Sequence, residues 1–250
     1  MAHSWWIGDC ERRPVIVAHR GGAALAAENT AEAINAAAAA GADAFETDVR
    51  LTRDGILVCV HDADLRRLCG DTRAVADLDV ETLRRLLPGV MTLEDALLAS
   101  ASLPVLLDIK RADQAQLPKI MAEVTAADAM ERTMLGLRHI DLIAAARTAW
   151  TDIAILAFLD EPDAFPAARR AGADWFRLWQ GAVTDERLAG IRATGMKLAV
   201  MVGQPRSVPL PEYPPFPVGV IDRDGLERLL AIVPDAILLD DPRLAVASVS

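Results

Sequence analysis

The sequence predicts a single-domain α/β protein, a closed (β/α)8 TIM barrel over residues 1–250. Three observations carry this. Eight short apolar runs alternate with longer amphipathic ones, the rhythm of parallel βαβ units. A chain of 250 residues suits one such barrel. No Gly-x-Gly-x-x-Gly follows a strand, which counts against a dinucleotide fold.

Strands are predicted at 15–18, 44–49, 104–109, 133–137, 153–158, 175–178, 197–202 and 236–239. Helices fall between them at 30–40, 114–127, 141–149, 162–171, 185–194 and 224–232. Asn29-Thr30 supplies a helix start and Gly41 its stop, so the alanine block before Gly41 reads as the thin face of a helix packed closely on a barrel. After the second strand comes a short insertion. Asp54-Gly55 is a turn signal, 56–61 an extra strand, and 81–87 and 93–99 are short helices. A proline-rich loop over 204–218 follows the seventh strand. It holds six of the 14 prolines, which neither helix nor inner strand accepts. That position lies on the face where barrel active sites are built.

Composition removes several function classes. With 26 Lys+Arg against 36 Asp+Glu the formal charge is −10, and no basic block offers a footprint for nucleic acid. No apolar run is long enough for a membrane helix, and the opening MAHSWWIGDCERRP lacks the basic start and apolar stretch of a signal peptide. Cys10, Cys59 and Cys69 cannot all pair within one chain and lack zinc spacing, so a cytoplasmic location with idle thiols is expected. Trp5-Trp6 is read as either a plug for the barrel bottom or a contact with a neighbour, and a homo-oligomer is left open.

The chemistry concentrates at strand ends. Residues i and i+2 of a strand share a face, so Glu46 and Asp48 point one way and Phe45, Thr47 and Val49 the other. Asp108 and Lys110 obey the same rule. Two carboxylates directed into a barrel repel and lose hydration unless a cation joins them, and a third acid from the next strand completes an all-oxygen set. Hard oxygen ligands favour Mg²⁺ or Ca²⁺ over zinc. Of four histidines, His19 and His61 each close a strand. Two such groups on either side of a P–O bond form an acid–base pair, with Arg20 and Lys110 as fixed charge for an anionic substrate. His139, beside Arg138, is read as a bystander.

These residues resemble a known family. His19-Arg20-Gly21, Glu28-Asn29-Thr30, Gly41-Ala42-Asp43, Glu46-x-Asp48-Val49, Thr52-x-Asp54-Gly55 and His61-Asp62, in that order, are similar to the glycerophosphodiester phosphodiesterase family. The resemblance returns at Leu107-Asp108-Ile109-Lys110 and faintly at Leu239-Asp240-Asp241-Pro242. It implies a divalent metal, Mg²⁺ or Ca²⁺, held by Glu46, Asp48 and Asp108. It also implies catalysis by His19 and His61, with Arg20, Lys110 and Glu28 binding substrate. The implied reaction hydrolyses a small-molecule glycerophosphodiester to glycerol 3-phosphate and an alcohol, the substrate's own hydroxyl attacking first to give a cyclic phosphate.

The sequence also departs from the family. Ala27 replaces a proline, and Asp108 stands where the family has a longer Glu. Met201-Val202-Gly203-Gln204 replaces Trp-Thr-Val-Asn, and the stretch between His61 and Pro88 is short. The proline-rich loop, with Tyr213 and Phe216, is expected to replace the missing aromatic wall and shape the leaving-group pocket. Two other readings are a phospholipase-D-like lyase that releases cyclic phosphate and a catalytically silent barrel that binds a phosphate-bearing molecule. A sugar-phosphate isomerase or aldolase finds no support, because Lys110 beside an acid is more simply an anion partner than a Schiff-base lysine.

Overall fold

The computed structural model describes residues 4–8, 13–100, 103–110, 114–205, 210–211 and 213–249, so Cys10 and His3 lie outside the described residues. Eight parallel strands form a closed ring: β1 (Val15–Ala18), β2 (Ala44–Leu51), β4 (Val105–Ile109), β5 (Thr133–Leu137), β6 (Ala154–Ala157), β7 (Trp175–Trp179), β8 (Lys197–Met201) and β9 (Ala236–Leu239). Pairing of β1 with both β9 and β2 closes it. β3 (Leu57–Cys59), the predicted extra strand, lies antiparallel on β2.

Helices α1 (Ala31–Ala39), α5 (Leu117–Ala126), α6 (Ile140–Ala149), α7 (Phe165–Ala171), α8 (Asp185–Ala193) and α9 (Arg223–Ala231) follow their strands at the predicted places. The starts of α1, α8 and α9 are capped by side chains that satisfy otherwise unpaired N–H groups. Thr30 accepts from Ala33 N at 3.2 Å, and Asp222 accepts from Gly225 N at 2.7 Å. α7 begins three residues later than predicted because Pro166, and not Pro162, occupies its first turn. The insertion contains α2 (Arg66–Cys69), α3 (Val80–Leu86) and α4 (Leu93–Ala99). α2 and α10 (Pro242–Val249) were not predicted. α2 is a single turn of four residues, too short to show a helical period.

Strand alternation divides the apolar residues into two layers. Ile16, Phe45, Leu107, Leu135, Phe176 and Leu198 face the helices, while Val17, Leu106, Met134, Leu156, Trp175 and Leu238 fill the barrel. The question of the tryptophan pair is settled for Trp6, which plugs the bottom. Its ring meets Trp175 edge-on at 6.1 Å, and its indole N–H donates to Arg132 O at 2.9 Å. Cys59 is buried and Cys69 exposed, both unpaired. Among the described residues no helix is long and apolar enough to cross a membrane.

Candidate active site

The carboxyl ends of the strands gather the predicted site residues, and register explains why. Glu46 lies beside Leu106 and Asp48 directly beside Asp108 across the β2–β4 pairing, so strand alternation turns all three acids to the inside. All three are buried, and one oxygen from each lies within 4.8 Å of the others. Lys110 Nζ sits 2.7 Å from Asp48 Oδ1 and also pairs with Asp108. Asn29 Nδ2 donates to Asp48 Oδ2 at 2.8 Å while its own oxygen accepts from Thr47 Oγ1 at 2.7 Å.

The charges are shared unevenly. Burial pushes every one of these carboxyls up, but for Asp48 the charge of Lys110, then those of His61 when protonated and of Arg20, outweigh it and hold the group well below the usual carboxylate range. Asp108 is likewise lowered by Lys110 and Arg138 against its burial. Glu46 is left over. Burial, then the charges of Asp48 and Asp108, push its carboxyl well above its ordinary value, and only the Arg20 backbone N–H (2.8 Å) and a more distant Lys110 oppose this.

That imbalance fits a hard divalent cation. Asp48 Oδ1 faces the Lys110 charge but has no aligned hydrogen bond. A ring of oxygens about 4–5 Å across is what ligands at roughly 2.0–2.6 Å from one ion produce. We expect Glu46→Gln to raise the melting temperature in EDTA by about 2–4 °C, because it removes a repelled buried acid. The same change should abolish the shift that Mg²⁺ gives the parent. A lower melting temperature in EDTA would contradict this account of Glu46.

His19 is held from the far side of the ring. Its Nδ1 lies 2.6 Å from Asp240 Oδ1, which leaves Nε2 facing the acids, 4.0 Å from Glu46 Oε2. Asp240 in turn donates its backbone N–H to Gly219 O at 2.7 Å. Gly219 has φ +80°, and a Cβ there would fall 2.0 Å from Asp240 Oδ1, so only glycine fits. Arg20 also adopts a left-handed conformation (φ 51°), the local strain that aims its N–H at Glu46.

His61 closes the opposite side, after β3. Arg50 donates to its carbonyl at 2.6 and 3.0 Å, and its Nδ1 meets Asp62 Oδ1 at 2.7 Å. From there a chain of ion pairs returns to the first strand: Asp62 to Arg67 (2.6 Å), Arg67 to Glu28, and Glu28 to Arg20 (3.0 Å). Burial lowers the proton affinity of His61.

A cavity of about 750 Å³ opens above these groups. His19, Arg20, Glu46, His61, Asp108 and Lys110 all line it, with Asp48 buried beneath. Glu28 lines an adjoining cavity of about 390 Å³ and reaches the main one through its pairs with Arg20 and Arg67. The far wall is aromatic. Phe158, Trp179, Tyr213 and Phe216 line it, the last two from the proline-rich loop. Gln204 anchors this loop, donating to Pro214 O at 2.8 Å and accepting from Leu210 N at 2.9 Å.

The roles of four residues of the site escaped the sequence reading. Arg138 forms a two-pronged pair with Asp108 (2.6 and 2.9 Å), and the strand-end position that drew attention to His139 pointed equally to it. Asp240, which follows β9 and was named only within the faint Leu239-Asp240-Asp241-Pro242 resemblance, would have gained its role from the same rule. Arg177 is inside the barrel, two residues from both Trp175 and Trp179. Arg67 gave no signal, since it reaches the site from α2.

Comparison with known proteins follows the same residues. Positions 19–160, more than half of the chain, match the glycerophosphoryl diester phosphodiesterase family. The chain belongs to that family. Glycerophosphodiester phosphodiesterase 1 of Homo sapiens is 44% identical over 72 residues, 29% of this chain and 22% of that protein. A Mycobacterium tuberculosis protein named probable glycerophosphodiester phosphodiesterase 1 is 48% identical over 73 residues, 29% of this chain and 27% of its own. The matched segments thus span about a quarter of those curated relatives. Among solved structures, an Oleispira antarctica phosphodiesterase in complex with the product sn-glycerol-3-phosphate superposes with a TM-score of 0.76 and 19% identity, covering 95% of this chain and 98% of that one. This likeness supports the barrel fold of the phosphodiesterase family.

Proposed function

We propose that this chain is a single-domain, divalent-metal-dependent phosphodiesterase that hydrolyses small glycerophosphodiesters to glycerol 3-phosphate and an alcohol. The observation that carries this reading is one cavity lined by both strand-end histidines, Arg20, Lys110 and two of the three clustered acids.

Glu46, Asp48 and Asp108 would hold Mg²⁺ or Ca²⁺, an ion that neutralises their charge and polarises phosphoryl oxygens. Arg20 and Lys110 orient the phosphate. His61, whose partly buried ring favours the neutral form, takes the proton from the attacking glycerol hydroxyl. As the P–O bond to the alcohol breaks, His19 gives a proton to the leaving oxygen through Nε2. Asp240 fixes the His19 ring and stabilises its imidazolium. In the second half the roles reverse and water opens the cyclic phosphate. Glu28 holds Arg20 in place, and the proline-rich loop shapes the leaving-group pocket.

The test is glycerol 3-phosphate release from glycerophosphocholine and glycerophosphoethanolamine with Mg²⁺, Ca²⁺, Mn²⁺ or EDTA, beside His19→Ala. We expect release that needs a metal and is abolished by EDTA and by the substitution. Absence of release from a metal-loaded protein would overturn the reading. One observation favours a weaker metal site: both oxygens of Asp108 are already engaged by Arg138 and Lys110. A silent binding barrel would accordingly show neither turnover nor a metal-induced rise in melting temperature. A lyase would accumulate cyclic phosphate, visible by ³¹P NMR.

A further inference from the structure

Arg177 carries a buried charge that the proposed mechanism does not use. Alternation along β7 places it inside the barrel between Trp175 and Trp179, and it is 2% exposed. Its guanidinium lies 4.7 Å from the Phe158 ring centre and 4.9 Å from that of Trp179. Arg138 sits over the same Phe158 ring at 4.8 Å. Two guanidinium groups therefore share one aromatic ring.

Their counter-charges do not match. Arg138 is spent on Asp108. Arg177 Nε has no partner, and its NH2 has only Phe158 O at 3.5 Å and Asp160 Oδ1 at 3.9 Å, on a side chain that is 90% exposed. Burial, then repulsion by Arg138, push its pKa down to about 10, which leaves it charged at neutral pH. An unbalanced cation in a dry wall creates a lasting positive potential in the space it faces. Phe158, Asp160 and Trp179, which surround Arg177, line the cavity directly.

The same geometry decides what the aromatic wall recognises. A quaternary ammonium binds to free aromatic faces. Here Phe158 and Trp179 already carry guanidinium groups, so a cationic head would meet repulsion there. We propose that the Arg138–Phe158–Arg177–Trp179 end of the cavity is an anion subsite, and that the chain takes glycerophosphodiesters whose alcohol bears a second anionic group, a phosphate or carboxylate. The proposal rests on the hydrolase reading for the position of the diester.

The test compares three ligands: glycerophosphoglycerol, its terminally phosphorylated form, and glycerophosphocholine. Affinities are measured by calorimetry with Mg²⁺ on the full chain carrying His19→Ala, so that nothing turns over. We expect the phosphorylated ligand to bind about tenfold more tightly than the other two, through the field of Arg177 behind the wall and the Arg138 charge that lines it. Arg177→Met and Arg177→Gln should bring the ratio to within about twofold of one, and Arg177→Lys should keep most of it. Either neutral variant that melts as cooperatively as its parent supplies the comparison. A parent ratio at or below one overturns the subsite whatever the variants do, as does a preference that survives loss of the charge or undetectable binding of the phosphorylated ligand. Turnover by the unmodified chain is scored separately. Preferred hydrolysis of glycerophosphocholine would keep the hydrolase and remove the subsite, while tight binding without hydrolysis of any ligand would do the reverse.

Discussion

His19→Ala should lower kcat for glycerol 3-phosphate release by about 10²–10⁴-fold, the usual contribution of a positioned acid or base, with a much smaller change in KM. The reason is geometric. With Nδ1 committed to Asp240, only Nε2 is free to exchange a proton above the acid cluster, and alanine leaves no substitute within reach. Asp240→Asn keeps the volume but removes the charge that stabilises the imidazolium, so its loss should be real and smaller. His61→Ala should match His19→Ala in kcat and differ in pH dependence. Burial, helped by the charges of Lys110 and Arg20, outweighs the Asp48 carboxylate and shifts His61 below its ordinary value, so its neutral, proton-accepting form persists to lower pH. The acid limb of kcat/KM should therefore fall below pH 6.5 and vanish in His61→Ala. An acid limb unchanged by that substitution would assign the base elsewhere.

Lys110→Met should destabilise the chain in EDTA by about 3–5 kcal/mol, the range for removing one partner of a buried ion pair. Lys110 contacts both Asp48 and Asp108. Without it Asp108 keeps Arg138, while Asp48 keeps the Asn29 amide and an Arg20 nitrogen at 3.9 Å. The sign of the pH dependence follows from Asp48. Its folded pKa lies below its unfolded value, so the stabilisation is present above about pH 4 and is lost as pH falls through the folded value. The gap between parent and variant in urea unfolding should be full at pH 7 and narrow below pH 4. Mg²⁺ should restore part of it by replacing the lost positive charge. A gap under about 1 kcal/mol at pH 7 would mean that the acids already neutralise one another by sharing a proton.

Much of this was legible in the sequence because both barrel and site rest on period-two alternation. Glu46, Asp48, Asp108 and Lys110 could be turned inward without coordinates, since the rule that buries Leu106 and exposes the opposite face to the helices also fixes them. Adjacency of Asp48 and Asp108 could not be read, because it depends on the stagger between β2 and β4, which no local pattern records. The same limit hid the partners. Asp240 is 221 residues from His19 and meets it only through ring closure, while Arg138, 30 residues from Asp108, meets it through the register of β4 on β5. The departure at Asp108 has a structural reply: the shorter acid is met by a two-pronged arginine from the next strand. Proline density marked the loop over 204–218 as irregular, but its anchoring on a single glutamine belongs to tertiary structure.

The turn at Gly219 has a consequence for how this chain can change over evolutionary time. Gly219 N donates to Val202 O, at the start of the proline-rich loop, and Gly219 O accepts from Asp240 N. Between them, a Cβ at Gly203 would strike Pro217 O at 1.9 Å. The two ends of the loop are thus stitched together, and the stitch is the same one that seats the partner of His19. Residues can be gained or lost between Pro205 and Phe216 without displacing that histidine, whereas a single insertion between Pro217 and Gly219 would move it. A change of length within that span should therefore alter ligand preference while leaving the His19–Asp240 pair, and proton transfer with it, in place.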